Sequence, residues 1–431
     1  MKLMKKYENE SGKEVTPVAC DDSEIENVSY EMIRETLKSD LLHHLDMQLE
    51  TSDEQVMELI EERILSLGKT TYLSLAQKNT LRRELYHGIR KLGILQDLID
   101  DPAVTEIMVN GTDHIFLEKD GKLYRHPGRF ESVEKLQDVI SQIVAGCNRV
   151  VNERDPIVDA RIAGSRVHVV LPPVALNGPI LTIRRFPEHP ITMEQLISFG
   201  SITSEVSQFL QTLVEAKYNI LIGGGTGSGK TTFLNVLSGF IPKQERIITI
   251  EDSAELQIQG VENLVRLETR NSNMDECRPI AIRDLIRAAL RMRPDRVIVG
   301  ECRGAEALDM LQAMNTGHDG SLSTAHANSA EDMIMRLESM VLMGADLPLP
   351  SIRRQIASAI DIIIHLGRLR DRSRRVLSVV EMDTGENGEI CMHPLFEFRE
   401  TGEENGHVIG VLEKVGELKH TDKLLMAGKN L

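Results

Sequence analysis

The stretch from Ile220 to Thr232, ILIGGGTGSGKTT, constrains this chain more than any other. A short apolar run, Ile220-Leu221-Ile222, leads into Gly224-Gly225-Thr226-Gly227-Ser228-Gly229-Lys230-Thr231. That run fits the phosphate-loop pattern G-x-x-x-x-G-K-[ST] without a mismatch. Glycines at these places let successive backbone N–H groups turn inward onto phosphate oxygens. Lys230 supplies a mobile charge for the β- and γ-phosphates, and Thr231 a hydroxyl for Mg²⁺. The helical pattern from Thr232 to Leu237 puts a positive helix end behind the loop. Strand, loop and helix in this order form the context the motif requires. The expected ligands are therefore a nucleoside triphosphate and Mg²⁺, held by residues 224–232.

At 431 residues the chain has room for about two or three domains. No run approaches the roughly 18 apolar residues that a membrane helix needs. The start, MKLMKKYENESGKE, has no apolar core, which points away from a secretory signal and toward the cytosol. Cys20, Cys147, Cys277, Cys302 and Cys391 are scattered with no C-x-x-C pair, against both a disulfide framework and a four-cysteine zinc site. Net charge is −16 and aromatics make up 3%, with no Trp, so the chain is a poor general nucleic-acid binder.

Residues 1–28 are polar, without apolar periodicity, and read as a flexible arm. Residues 29–100 read as a helical bundle. Ser52 with Gln55 gives a capping-box signature, and Val56, Leu59, Ile60, Ile64 and Leu67 then share one helical face. Leu81, Leu85, Ile89 and Leu92 continue that spacing. After Asp101-Pro102 the texture becomes α+β through residue 187, with turns at Asn110-Gly111 and Asp120-Gly121 and a helix over about Val133 to Cys147. Four arginines stand out here: Arg161, Arg166, Arg184 and Arg185. Two readings of Arg166 and Arg184 stay open, a solvated sheet face or a reach toward nucleotide phosphate. Pro187 to Pro190 opens a linker spanning 188–203, in which Thr192 and Gln195 cap a short helix.

From residue 204 to 431 strands alternate with helices. The strands are Ile220–Ile222, Ile247–Ile250, Leu264–Leu267, Val297–Val299, Ser321–Ala325 and Ile362–Leu366. This is the signature of a mostly parallel sheet with helices on both faces, so ligands sit at the strands' carboxyl ends. Glu251, Asp252 and Glu255 follow one strand, Glu301 a second and His326 a third. Each acid alone reads as a helix cap or a solvated loop residue, but three groups at successive strand ends point to one crevice beside Lys230. Pro279 to Arg293 reads as a helix with Arg283, Arg287 and Arg291 in line, either a solvated face or a subunit interface near phosphate. The cluster Arg368, Arg370, Arg372, Arg374 and Arg375 reads as a solvated charge run, and the segment after it as β-hairpins.

Here the residues resemble a family. GGTGSGKTT, then ITIEDSAEL, then LRMRPDRVIVGECRGAEALDMLQAMNTGHDGSLSTAHANS look like the secretion ATPases of type II and type IV systems, with the Tad/Flp pilus assembly branch the nearer likeness. In that family the four boxes are called Walker A, Asp box, Walker B and His box; here they fall at Gly224–Thr231, Ile250–Glu255, Val297–Glu301 and Thr324–His326. The resemblance covers about Ala76 to Met382 and is densest from Asp159 to Ser329. The first 75 residues match nothing specific. The four-cysteine zinc insert of many relatives of the type II secretion and pilus-extension kind is missing here.

The resemblance implies a RecA-like P-loop domain preceded by a small α+β, PAS-like domain that closes over the nucleotide. It implies ATP and Mg²⁺ as cofactors, with Arg166 and Arg184 at the positions of phosphate-sensing arginines. Glu301 would activate water, with Glu251 and Glu255 supporting Mg²⁺ and water, Thr231 and Glu255 serving the metal, and His326 sensing the γ-phosphate. It further implies a hexameric ring at the cytoplasmic face of the inner membrane. That ring would act through a membrane platform protein on pilin-like or secreted subunits. Two rival functions stay open: a nucleic-acid translocase and a low-turnover nucleotide switch.

Overall fold

A computed structural model of the chain describes residues 30, 32–41, 53–69, 71–90, 92–119, 121–147, 149–162, 164–186, 190–270, 278–385 and 389–430. The expected arm at 1–28, the Ser52 cap and most of the Pro187–Pro190 break lie outside them. The chain divides into two compact units, one ending at Arg185 and one starting at Phe186.

In the first unit, helices at 32–41, Asp53–Leu67 and Leu75–Arg90 share one apolar core. Val56, Ile60 and Ile64 are buried at a spacing of four, and they meet Leu37, Leu41, Leu81 and Leu85. A short helix, Ile94–Asp100, leads into a six-stranded sheet. Its strands are β1 (Val104–Asn110), β2 (His114–Lys119), β3 (Lys122–His126), β4 (Ile157–Ile162), β5 (Ser165–Val170) and β6 (Ile180–Arg185). Their order is β3-β2-β1-β6-β5-β4, every neighbour antiparallel. Gly111 takes φ +68°, as the Asn-Gly turn requires, and a Cβ there would meet the Asn177 carbonyl. Helix Val133–Ala145 is capped by Ser132, whose hydroxyl accepts from the Lys135 N–H. Its face of Leu136, Val139, Ile140 and Ile143 joins the core formed with Ile107, Val109, Val167 and Leu181.

The second unit opens with helix Met193–Ser198, held by a complete capping box of Thr192 and Gln195. Helix Ser204–Glu215 then leads to a nine-stranded sheet. Its strands are β7 (Ile220–Gly224), β8 (Ile247–Glu251), β9 (Leu264–Glu268), β10 (Arg296–Cys302), β11 (Leu322–Ala325), β12 (Ile362–Arg368), β13 (Arg374–Thr384), β14 (Ile390–Glu404) and β15 (His407–Lys414). The order is β15-β14-β13-β12-β7-β11-β10-β8-β9. The six strands from β12 to β9 are parallel to their neighbours, as the alternating pattern predicts. Every residue of β7 is buried, which is why it reads as an unbroken apolar run. Ile220 and Ile222 face one core with Val206, Leu210 and Phe233, while Leu221 faces the other with Ile286, Leu311 and Met333. The expected hairpins are antiparallel β13, β14 and β15, and they extend the same sheet through β12.

Two readings change. The helix expected over Pro279 to Arg293 spans only Ile282–Ala289. The Asp284 carboxylate accepts from the Ala281 N–H at its start, and Arg293 takes φ +56° just beyond its end, before Pro294. Nor is its basic line simply solvated. Arg283 and Arg287 both pair with Asp309, at 2.6 and 2.8 Å, and Asp309 is buried. Two arginines four apart converge on one carboxylate of the adjoining helix, Glu306–Asn315. Among the described residues no helix is long and apolar enough to cross a membrane.

Candidate active site

Strand order builds the site. In the parallel registers Ala325 of β11 stands beside Gly223 of β7, Cys302 of β10 beside Ala325, and Ile250 of β8 beside Val299 of β10. The residues that end these strands therefore form a row along the carboxyl edge: the phosphate loop, His326, Glu301 and Glu251.

The loop runs from the end of β7 into helix Lys230–Ser238. Gly229 sits at the helix N-cap in the left-handed region, φ +94°, and Gly227 has φ +74°. These are the conformations that turn backbone N–H groups toward one centre. Gly225, Thr226 and Gly227 are exposed, and a Cβ added at Gly225 would meet nothing. Ser228 Oγ is buried and has no hydrogen-bond partner among the described residues. Open space fronted by turned backbone, an unsatisfied hydroxyl and the Thr231 hydroxyl at the helix start fit a phosphate group with Mg²⁺, a hard cation that takes oxygen ligands.

Lys230 Nζ lies 3.3 Å from the Gly225 carbonyl and 3.3 Å from His326 Nδ1. His326 Nε2 lies 2.8 Å from Glu301 Oε1. Arg303 Nε donates to the other oxygen, Glu301 Oε2, at 2.7 Å. An ammonium can only donate, so Nδ1 accepts and the imidazole proton belongs on Nε2, which lies against Glu301 Oε1 without the alignment of a hydrogen bond. His326 is thus placed as a neutral ring between a cation and an anion. Burial lowers its pKa against the pull of Glu301, and Lys230 and Arg303 lower it further. Burial also lowers the Lys230 pKa, while Glu301 opposes the shift. The sequence pattern missed Arg303. Its only signal was a cation two residues past the strand-end acid.

Glu251 occupies a different setting. It is 3% exposed, and its Oε1 accepts from the Glu255 and Leu256 N–H groups, both at 2.9 Å. Oε2 is buried without a hydrogen-bond partner among the described residues. Asp252 accepts from the Thr269 hydroxyl at 2.8 Å. Burial pushes the Glu251 carboxyl up to about 7, although both backbone donors favour the charged form. Because this value lies above the ordinary 4.5, the fold favours the protonated acid. That contribution is complete below about pH 4.5 and is lost as pH rises through about 7, worth roughly 3 kcal/mol at most. Glu251→Gln should flatten this slope. The check is chemical denaturation of both proteins at pH 4.5 to 8, where parallel curves would defeat the assignment.

The first unit holds the arginines. Arg161, Arg166 and Arg184 are direct cross-strand partners on β4, β5 and β6, so they form a row across one sheet face. The row continues to Glu106 on β1. Like charges placed opposite one another repel, and Glu106 opposite Arg184 offsets part of that charge. Arg166 also lies 3.4 Å from Asp159. Arg185 faces the other way and donates to the Asp101 carbonyl at 2.8 Å, a structural contact.

The arginine run after β12 is not uniformly solvated. Arg374 Nε donates to the Gly227 carbonyl of the phosphate loop at 2.8 Å. The rest of the run divides: Arg370 pairs with Glu400 and Glu403, and Arg375 donates to the Gly200 and Val408 carbonyls.

Comparison with known proteins gives a consistent result. The family model for type II/IV secretion system proteins matches residues 89–409. A putative conjugal transfer protein of Mycobacterium tuberculosis is 33% identical over 301 residues, spanning 68% of this chain and 85% of the relative. The probable conjugal transfer protein TrbB of Sinorhizobium fredii is 32% identical over 309 residues, spanning 70% and 91%. Among solved structures, the Legionella pneumophila ATPase DotB is similar in fold, with a TM-score of 0.50 at 20% identity over 68% of this chain and 80% of that one. With its phosphate loop, strand-end acids and histidine inside the matched span, this chain belongs to the type II/IV secretion system ATPase family.

Proposed function

We propose that this chain is an ATP-hydrolysing motor of a secretion or pilus assembly machine, nearest the Tad/Flp branch. The observation that carries the reading is the line of contacts from Lys230 through His326 to Glu301 beside the phosphate loop. Residues 224–232 would bind ATP, and Thr231, with Glu255 through water, would hold Mg²⁺. Glu301 would orient and activate the water that attacks the γ-phosphorus, giving ADP and phosphate. His326, set between Lys230 and Glu301, would sense the γ-phosphate where Lys230 meets it. Glu251 would support this centre by shaping the turn that carries Glu255.

The first unit, in this reading, carries a PAS-like module behind a helical bundle. It would close onto nucleotide and supply Arg166 and Arg184. Six chains would form a ring at the cytoplasmic face of the inner membrane, attached through a platform protein that handles pilin-like or secreted subunits. The absence of a C-x-x-C pair, and so of a four-cysteine zinc insert, supports the Tad/Flp placement. Two relatives bear conjugal transfer names, so a DNA translocase is the rival to test. The acidic balance of −16 argues against it.

Two measurements on the purified chain decide between them. We expect steady-state ATP hydrolysis that rises with membranes containing the platform protein, and no DNA binding that falls steeply with salt. DNA affinity with a strong salt slope and DNA-stimulated turnover would replace the motor by the translocase. Hydrolysis that stays near zero under both conditions would leave a switch.

A further inference from the structure

The phosphate loop has a second neighbour outside the proposed chemistry. β12 and β13 form a hairpin in which Arg368 and Arg374 are direct cross-strand partners. Arg374 reaches the loop from outside and takes the Gly227 carbonyl. Its Cδ lies 3.4 Å from where a Cβ of Gly229 would stand, and Arg368 Nη1 lies 3.9 Å from the same point at Gly227. The acids that β14 brings alongside, Glu400 and Glu403, go to Arg370, and among the described residues no carboxylate pairs with Arg368 or Arg374.

The geometry gives this contact a consequence. A loop that turns its N–H groups inward must turn carbonyls outward. Gly227 and Gly229 hold that turn in left-handed conformations that cost glycine little and that glycine leaves as easily. A bond on the outward carbonyl fixes the Gly227 peptide plane, and with it the Ser228 N–H, which closes the turn onto the Gly225 carbonyl at 3.3 Å. Two guanidinium groups facing each other also repel until negative charge arrives nearby.

We propose that Arg374 is a positioning residue of the nucleotide site. It holds the phosphate loop in its anion-binding curl from outside, and Arg368 adds positive charge to the same wall. The proposal rests on reading this loop as a site for nucleoside triphosphate.

The test uses the full chain with two independent readouts. The first is binding of ADP and ATP with Mg²⁺, together with kcat at saturating ATP. Arg374→Ala should weaken both nucleotides about tenfold, the scale of one charge-assisted hydrogen bond, and leave kcat within about twofold. Arg374→Lys should recover only part of the loss, since it keeps the charge but not the planar donor. Arg370→Ala, on the same hairpin, should bind like wild type. The second readout is amide exchange of 224–233 in nucleotide-free protein, which should quicken in Arg374→Ala and not in Arg370→Ala. Wild-type affinity and wild-type exchange in Arg374→Ala would overturn the proposal. So would equal losses in Arg370→Ala, which would mean a general loosening of the hairpin. A wild-type chain that binds neither nucleotide would instead defeat the proposed function, and the exchange result would still judge Arg374.

Discussion

Glu301→Gln should bind ATP with wild-type affinity and hydrolyse it about 10²–10⁴-fold more slowly, the usual worth of a general base. The exchange keeps size and planarity and removes only the charge. The amide oxygen can take the place of Oε1, 2.8 Å from His326 Nε2. The amide nitrogen, however, would face the Arg303 guanidinium, which bonds to Oε2 at 2.7 Å. Donor against donor makes that contact repulsive, so the variant loses both the base and part of its alignment. Phosphate binding would rest on the loop backbone and Lys230, which the change reaches only through the lost charge of Glu301. Equilibrium binding and single-turnover hydrolysis, measured together, separate these effects. Unchanged turnover per bound ATP with weakened affinity would assign Glu301 to Mg²⁺ or to structure instead.

How much of this site was legible beforehand follows from where its information sits in the chain. The six parallel strands were readable because burial on both faces demands apolar runs, as in β7. The strand ends followed, because a parallel sheet presents its carboxyl edge as one line. Long-range pairings were not legible. Arg296 is fully buried, with its guanidinium on Glu245, the Val214 carbonyl and the Gly320 carbonyl, yet in sequence it is one more cation before a strand. Gly320 leaves it the space, since a Cβ there would overlap the guanidinium. Arg374 was hidden for the same reason: its partner, Gly227, lies 147 residues away. In the helix Ile282–Ala289 the spacing of Arg283 and Arg287 was visible, but the buried Asp309 that gathers them was not.

Arg166→Ala and Arg184→Ala should each cut ATP turnover by on the order of 10³-fold, as supplied arginines do in related phosphoryl transfer, with little loss of nucleotide binding. Both residues precede Arg185, so they belong to a different unit from Lys230. In the proposed motor, an arginine carried by another unit would meet phosphate only on closure. It then contributes to the transition state more than to ground-state binding. Their placement adds a second expectation. Arg166 and Arg184 stand opposite one another on β5 and β6, with Arg161 next in the row. Removing one relieves repulsion on the others but also takes a cation from Asp159 beside Arg166 or from Glu106 opposite Arg184, so each single variant should melt close to wild type. A fall in turnover that accompanied a fall in thermal stability would therefore point to damage of the sheet and away from phosphate chemistry. The decisive experiment measures turnover, nucleotide affinity and melting temperature of each variant at matched oligomeric state. Wild-type turnover in both would mean that these arginines only solvate a sheet face, and that the first unit takes no part in hydrolysis.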